Sequence, residues 1–205
     1  MDAGTEFSMK LTDGKTLTYR IIGINHDDPA GGSGKAGLTF LTTTTGIWSP
    51  MNAIDTNAGG WEKSELRQKM NSGKIWNLMP SDFQSKVKAV KKLSNNVGGG
   101  DENKNAAVTA TSDKLFLLSY SEIAPTSYWA SYPWTSSEGT QYEAFKNEVT
   151  DNYGSNYAIA NGEFWWERSV HPGNYPGFLN VGDTGHPSCE AGGASSVRVC
   201  PAWCF

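Results

Sequence analysis

Residues 14–25, GKTLTYRIIGIN, alternate Leu17, Tyr19 and Ile21 with Thr18, Arg20 and Ile22. Their dense β-branched content predicts a strand. The stretch 26–37, HDDPAGGSGKAG, has loop composition, and a second strand is expected over 38–45. Residues 61–71, WEKSELRQKMN, place Leu66 and Met70 on one face at helical spacing and stop at Asn71–Gly73. A short helical piece is expected over 75–79. In PSDFQSKV, Ser81 and Gln84 have capping-box spacing, with Asp82 in the first turn, where the helix dipole favours a carboxylate. Phe83, Val87 and Val90 are then expected to face the core.

The polar run 94–106, with its GGGDENKN, reads as a surface loop, or less readily as a linker. LFLLSYSEI (115–123) reads as an apolar strand, and QYEAFKNEV (141–149) as a helix inside the turn-rich stretch 125–160. Bulky FWWERS (164–169) and short 178–181 predict further strands. Residues 197–205 predict a last strand interrupted by Pro201. Strands at both ends, short helices early and long loops late make the fold class α+β. With no internal repeat, one domain is expected over 9–205, and residues 1–8 read as a cloning scar or an upstream remnant.

Composition narrows the function. The chain has 205 residues, 23 glycines, eight tryptophans and a net charge of −4. That acidity argues against general nucleic-acid binding. Lys86, Lys88, Lys91 and Lys92 read as a solvated helix end and strand. No apolar run reaches the roughly 18 residues of a membrane span, so no membrane insertion is expected. Residues 1–8 lack a signal-peptide pattern. Cys189, Cys200 and Cys204 are odd in number and lack CxxC spacing, so mostly free, partly buried thiols are expected. An extended segment would hold Cys200 and Cys204 about 13 Å apart, too far to bridge.

The segments YRIIGINHDD, KAGLTF, DTNAGGWEKSELRQKMN, MPSDFQ, DKLFLLSYSEI, GTQYEAFKN, WWERS and the terminal VRVCPAWCF cover nearly the whole chain. Together they resemble a domain of unassigned function from Firmicutes and phage surface proteins. That family resembles a branch of the C-type lectin fold, close to the formylglycine-generating-enzyme type. The resemblance implies a small twisted antiparallel sheet flanked by two helices, with meeting terminal strands and long irregular loops. Some members resemble the variable proteins of diversity-generating retroelements, which rewrite adenine-containing codons near the gene's 3′ end. The family's ending resembles GVRPAF, and here the proline is displaced. The resemblance further implies a place on a cell surface or virion and a partner that is a host or bacterial surface protein or glycan.

Codons ending NNC or NNT cannot encode Lys, Gln, Glu, Met or Trp. These types occur 40 times in the chain, yet in residues 170–196 only Glu190 belongs to them, where about five would stand in proportion. A plain glycine-rich loop would lack Lys and Met as well, so both readings stand. The variable region is placed at about 169–198. His171, Asn174, Tyr175, Phe178, Asn180, Asp183, His186 and Ser188 are the candidate ligand contacts: aromatic area at low entropy cost, beside adaptable hydrogen-bonding groups. Trp165, Trp166, Glu167, Arg168 and Arg198 read as scaffold, the indoles needing N–H partners and the arginines pairing with Glu167 or backbone carbonyls.

No catalytic, metal or cofactor site is expected. The calcium-binding triplets of sugar-binding lectins are missing, and no acidic cluster in the late loops supplies the six to eight oxygens calcium takes. His26, Asp27 and Asp28 read as turn stabilisers. Ser169, His171, His186 and Asp183 compose a triad only on paper, without a GxSxG elbow. GGSGKAG (31–37) lacks phosphate-loop spacing. Besides a variable receptor-binding module, two readings remain. One is a carbohydrate-binding module of fixed specificity using an exposed Trp129 or Trp134. The other is a formylglycine-generating-type enzyme using Cys200 or Cys204, which would need an electropositive, exposed setting.

Overall fold

The alternating stretch near the start forms β2 (Thr16–Ile24), paired antiparallel with β1 (Glu6–Lys10) on one side and β3 (Leu38–Thr44) on the other. This computed structural model describes residues 3–95, 108–128, 137–152, 154–173 and 175–205. The domain start expected at residue 9 falls inside β1. β11 (Ala202–Cys204) pairs antiparallel with β3, giving the order β1-β2-β3-β11.

A second sheet has the order β4-β10-β7-β8-β9, from β4 (Trp48–Ser49), β10 (Val197–Arg198), β7 (Trp165–Val170), β8 (Gly177–Val181) and β9 (Cys189–Gly192). Only its β10–β7 pairing is parallel. β5 (Val90–Asn95) and β6 (Val108–Asp113) make a hairpin. With four short helices among the described residues, the architecture is α+β.

The interruption at Pro201 is where the chain changes sheets: Val199 N–H donates to Ile47 O, and Thr42 N–H to Pro201 O. The two sheets thereby share one apolar core, with Leu17, Ile21 and Trp203 on one side and Trp61, Trp165 and Trp166 on the other, all at most 2% exposed.

Four local expectations change. The helix over 61–71 is two, α1 (Gly60–Lys63) and α2 (Glu65–Asn71), broken at Ser64. The Ser64 hydroxyl accepts from Arg67 N–H and donates to Trp61 O, so it competes with the helical ladder. The capping box at Ser81 does not form. In α3 (Ser81–Lys86) the N-cap is Pro80, so the helix starts one residue earlier than the box requires and Gln84 falls past its N3 position. The Gln84 amide donates instead to Trp76 O and Met79 O, holding the short 3-10 turn Trp76–Leu78.

Residues 115–123 are apolar and buried as expected but not a strand. A single bridge joins Phe116 to Ala202, and the chain then turns into α4 (Tyr120–Ile123), closed by a capping box between Ser119 and Glu122. Residues 143–148 are successive turns rather than helix. Asn147 stands in the left-handed region at φ 68°, and the Gln141 amide takes the Ile123, Phe145 and Val149 carbonyls. Phe83, Val87 and Val90 are buried as expected. Of the polar run 94–106, Ser94 and Asn95 end β5 and the rest lies outside the described residues.

Candidate ligand-binding surface

The late loops stand on an irregular strand. Trp166 pairs with Asn180 and Val170 with Phe178, so Glu167, Arg168 and Ser169 bulge opposite Leu179. The bulge turns Arg168 N–H onto Leu118 O. The Arg168 side chain is fully buried and forks onto both carboxylate oxygens of Glu122, at 2.5 and 3.1 Å. It also donates to the Leu93, Leu117 and Glu138 carbonyls. Arg168 is scaffold as expected, but its carboxylate partner is Glu122, not Glu167.

Glu122 meets a second cation, Lys92, at 2.5 Å, and Lys92 reaches Asp27 at 2.7 Å and the Tyr142 hydroxyl at 3.0 Å. The solvated-lysine expectation fails at Lys92 and the simple-turn expectation at Asp27: both are buried, at 2% and 4% exposure. Burial pushes the Asp27 carboxyl up, yet the Lys92 charge and the Lys92 and Thr39 hydrogen bonds hold it down at about 2. Burial likewise opposes ionisation of Glu122, and Arg168 and Lys92 overcome it, so its acidity is increased. Two carboxylates and two cations form a neutral buried chain tying the 26–28 turn, β5, α4 and β7 together.

Beside this chain Glu167 is fully buried, and neither carboxyl oxygen has a hydrogen-bond partner among the described residues. Burial and the neighbouring Glu138 raise its pKa well above the usual range despite Arg168. A proton kept by the folded chain and lost by the unfolded one stabilises fully below about pH 4.3, the usual glutamate value. That contribution disappears as pH rises through the folded value. Glu167→Gln should therefore leave stability near wild type at pH 4 and raise it at pH 8. Urea midpoints at the two pH values check this, and an equal effect at both would refute it.

On this base the loops are fixed in two pairs, which leave β8 at opposite ends. The Asn57 amide donates to Tyr175 O and Gly177 O, fixing the 171–176 loop to the 53–57 loop. Asn156 N–H donates to Thr184 O and Gly185 O, and Ser155 Oγ to Thr184 Oγ1, fixing 182–188 to 154–157. Gly185 has φ 85°, and a Cβ there would lie 1.9 Å from Asn156 O, so only glycine fits.

The expected contacts divide. Tyr175 and Asp183 are exposed, and His186 and Ser188 half-buried. His186 Nδ1 accepts from Ser188 N–H, and Ser188 Oγ donates to Asn152 O. Three expected contacts are instead interior. Every residue of β8 is buried, so Phe178 packs edge-on against Trp166, and Asn180 is 1% exposed. His171 is 7% exposed, between the edges of Tyr128 and Tyr175, its Nδ1 accepting from Gly173 N–H. Burial lowers its pKa, against Glu190. Asn174, Trp129 and Trp134 lie outside the described residues.

The loops add two exposed side chains that the sequence reading missed, Ile54 at 70% and Tyr157 at 95%. Each stands in a turn-rich stretch, and nothing in the sequence separates it from its apolar neighbours as exposed.

The indoles behave as expected. Trp165 Nε1–H donates to Ile159 O and Trp166 Nε1–H to Ser49 O. The three thiols are free. Burial pushes the Cys200 thiol up to about 12 and Cys204 higher still, leaving both protonated. Among the described residues no cluster of three or more His, Cys, Asp or Glu is placed to hold a metal, and no helix is long and apolar enough to cross a membrane.

A family model described as a domain of unknown function, DUF6273, matches residues 36–203. No curated protein and no solved structure matches the chain.

Proposed function

The chain belongs to the DUF6273 family, and on that premise we propose that it is a ligand-binding module, with a C-type-lectin-like scaffold displaying two fixed loop pairs, 53–57 with 171–176 and 154–157 with 182–188. The carrying observation is a division of labour. Loop backbones are fixed by amide and main-chain bonds, while Ile54, Tyr157, Tyr175 and Asp183 point to solvent. Such a surface can change its exposed side chains without unloading the core. The partner is a bacterial or host surface protein or glycan. The lectin-like reading is supported by terminal strands that share one sheet, short helices α2 and α3, and the long late loops.

Tyr175→Ala and Tyr157→Ala should each weaken binding about tenfold or more, the behaviour of exposed aromatic anchors. Tyr157→Ala should change stability by no more than about 0.5 kcal/mol. Wild type and variants are tested on arrays of bacterial glycans and purified surface proteins. Retained binding by both variants refutes the assignment.

Retroelement diversification is the more specific form of this reading. Its test is the source locus: a reverse-transcriptase gene and an imperfect repeat of the codons for about residues 168–200. Mismatches at adenines should fall on Tyr175, Asp183, His186 and Ser188 and spare Phe178 and Gly185. Without the repeat, a surface of fixed specificity remains.

A further inference from the structure

The two edges of the five-stranded sheet differ. β9 borders the loop surface, whereas β4 carries Trp48, 45% exposed. Trp48 lines a cleft of about 250 Å³ with Asp13, Lys15, Lys74, Ile75 and Leu78. We propose that this cleft is a second binding site, specific for a pyranose sugar unit that stacks on the Trp48 indole.

The cleft is preformed. Thr12 N–H and Oγ donate to Leu78 O and Asn77 O, locking the β1–β2 turn to the 3-10 turn. Leu11 N–H and Lys15 O close that turn, and Gly46 at φ 61° brings the β3–β4 turn to the Lys15 side chain. The indole is held as well: its cross-strand partner Arg198 lies over the ring, 5.5 Å from its centroid. Arg198 is itself tied to Asn161 O and near Glu163. With one ring face taken, the indole has one face to offer a ligand.

The lining selects the ligand. Apolar Trp48, Ile75 and Leu78 favour a flat C–H surface, which suits the negative face of an aromatic quadrupole. On the rim, the Asp13 carboxylate accepts only, and the Lys15 and Lys74 ammonium groups donate only. A hydroxyl both donates and accepts, so a ring with apolar C–H faces and peripheral hydroxyls satisfies both kinds of group at once. Asp13 and Lys15 already pair at 3.5 Å, so the rim offers a hydroxyl a carboxylate and ammonium groups side by side; an apolar peptide would make no hydrogen bond to them, and the Asp13 charge would oppose a phosphate drawn by the lysines. Because none of its lining residues belongs to the display loops, the site does not depend on the function proposed for them.

The test uses the ¹⁵N-labelled full chain, whose eight tryptophans give indole N–H signals. Trp48 is assigned by the signal lost in Trp48→Phe. Methyl glycosides of glucose, mannose, galactose and N-acetylglucosamine are titrated in, with AMP as a nucleotide probe. At least one glycoside should shift the Trp48 signal saturably. Asp13→Asn should weaken that binding about tenfold, as for loss of a charge-assisted hydrogen bond, and Tyr175→Ala should leave it unchanged. No shift with any glycoside, a shift with AMP alone, or a shift indifferent to Asp13→Asn overturns the proposal. Loss of binding only through Tyr175→Ala would place the sugar on the loops and overturn it too.

Discussion

Arg168→Met is expected to destabilise the fold by about 3–5 kcal/mol, the usual consequence of stripping one partner from a buried ion pair. Methionine fills much of the arginine volume, so little of the loss is cavity. The loss comes from Glu122, left with Lys92 as its one cation, and from the Leu93, Leu117 and Glu138 carbonyls, which lose their donor in the interior. Urea unfolding should show a lower midpoint at an unchanged slope.

A double variant separates the charge from the packing. Glu122→Gln in the Arg168→Met background should cost less than in wild type, because the carboxylate it neutralises no longer has its fork. Additive losses would mean that the pair is not coupled. The acid limb carries the same signature. Asp27 and Glu122 both ionise more readily when folded. The stability they contribute is present above their unfolded values near pH 4 and is lost as pH falls through the folded ones. Without Arg168 the folded value of Glu122 rises, so the variant should unfold at higher pH than wild type. Because the network is buried, added salt should not reproduce this effect.

These charges mark where the sequence was legible and where it was not. Periodicity located β2, β3, β7 and β8, since each alternates or runs apolar over strand length. The size and N–H groups of the indoles identified Trp165 and Trp166 as scaffold. Periodicity could not show that Lys92, one of four closely spaced lysines, turns inward while Lys86, Lys88 and Lys91 stay exposed. That choice depends on Asp27 and Glu122, which lie 65 and 30 residues away along the chain. Ser119 and Glu122 did have capping-box spacing, but the apolar run around them reads equally well as a strand.

The candidate surface was legible in part for the same reason. Loop composition at 170–196 is a local property, and it pointed to Tyr175, Asp183, His186 and Ser188, which are exposed or half-buried. Burial is not local. Phe178 and Asn180 fall in β8, between β7 and β9, where both faces of the strand are covered. Ile54 and Tyr157 join these loops from segments more than 100 residues apart, placed there by the Asn57 and Asn156 bonds rather than by any sequence pattern.

Trp203→Ala should cost about 3–5 kcal/mol, the range for emptying a large aromatic site in a core that cannot collapse to fill it. Trp203 is fully buried in β11, and its ring centroid lies 4.9 Å from Tyr19, 5.1 Å from Phe83 and 5.8 Å from Phe40. Those three rings come from β2, α3 and β3, so the loss falls on the contacts that hold the C-terminal strand in the first sheet. Trp203→Phe divides the indole's contribution. It keeps a ring but removes an Nε1–H that has no acceptor among the described residues. Burying such a donor bare costs about 1–3 kcal/mol, and removing it should offset much of the packing lost with the second ring. The phenylalanine variant should therefore stay within about 1.5 kcal/mol of wild type, the tolerance of volume-near apolar exchanges. Thermal and urea midpoints of the two variants measure both parts. A phenylalanine variant as unstable as the alanine one would mean that the indole N–H is satisfied in solution by a buried water and that the whole bicyclic ring is needed to close the sheet.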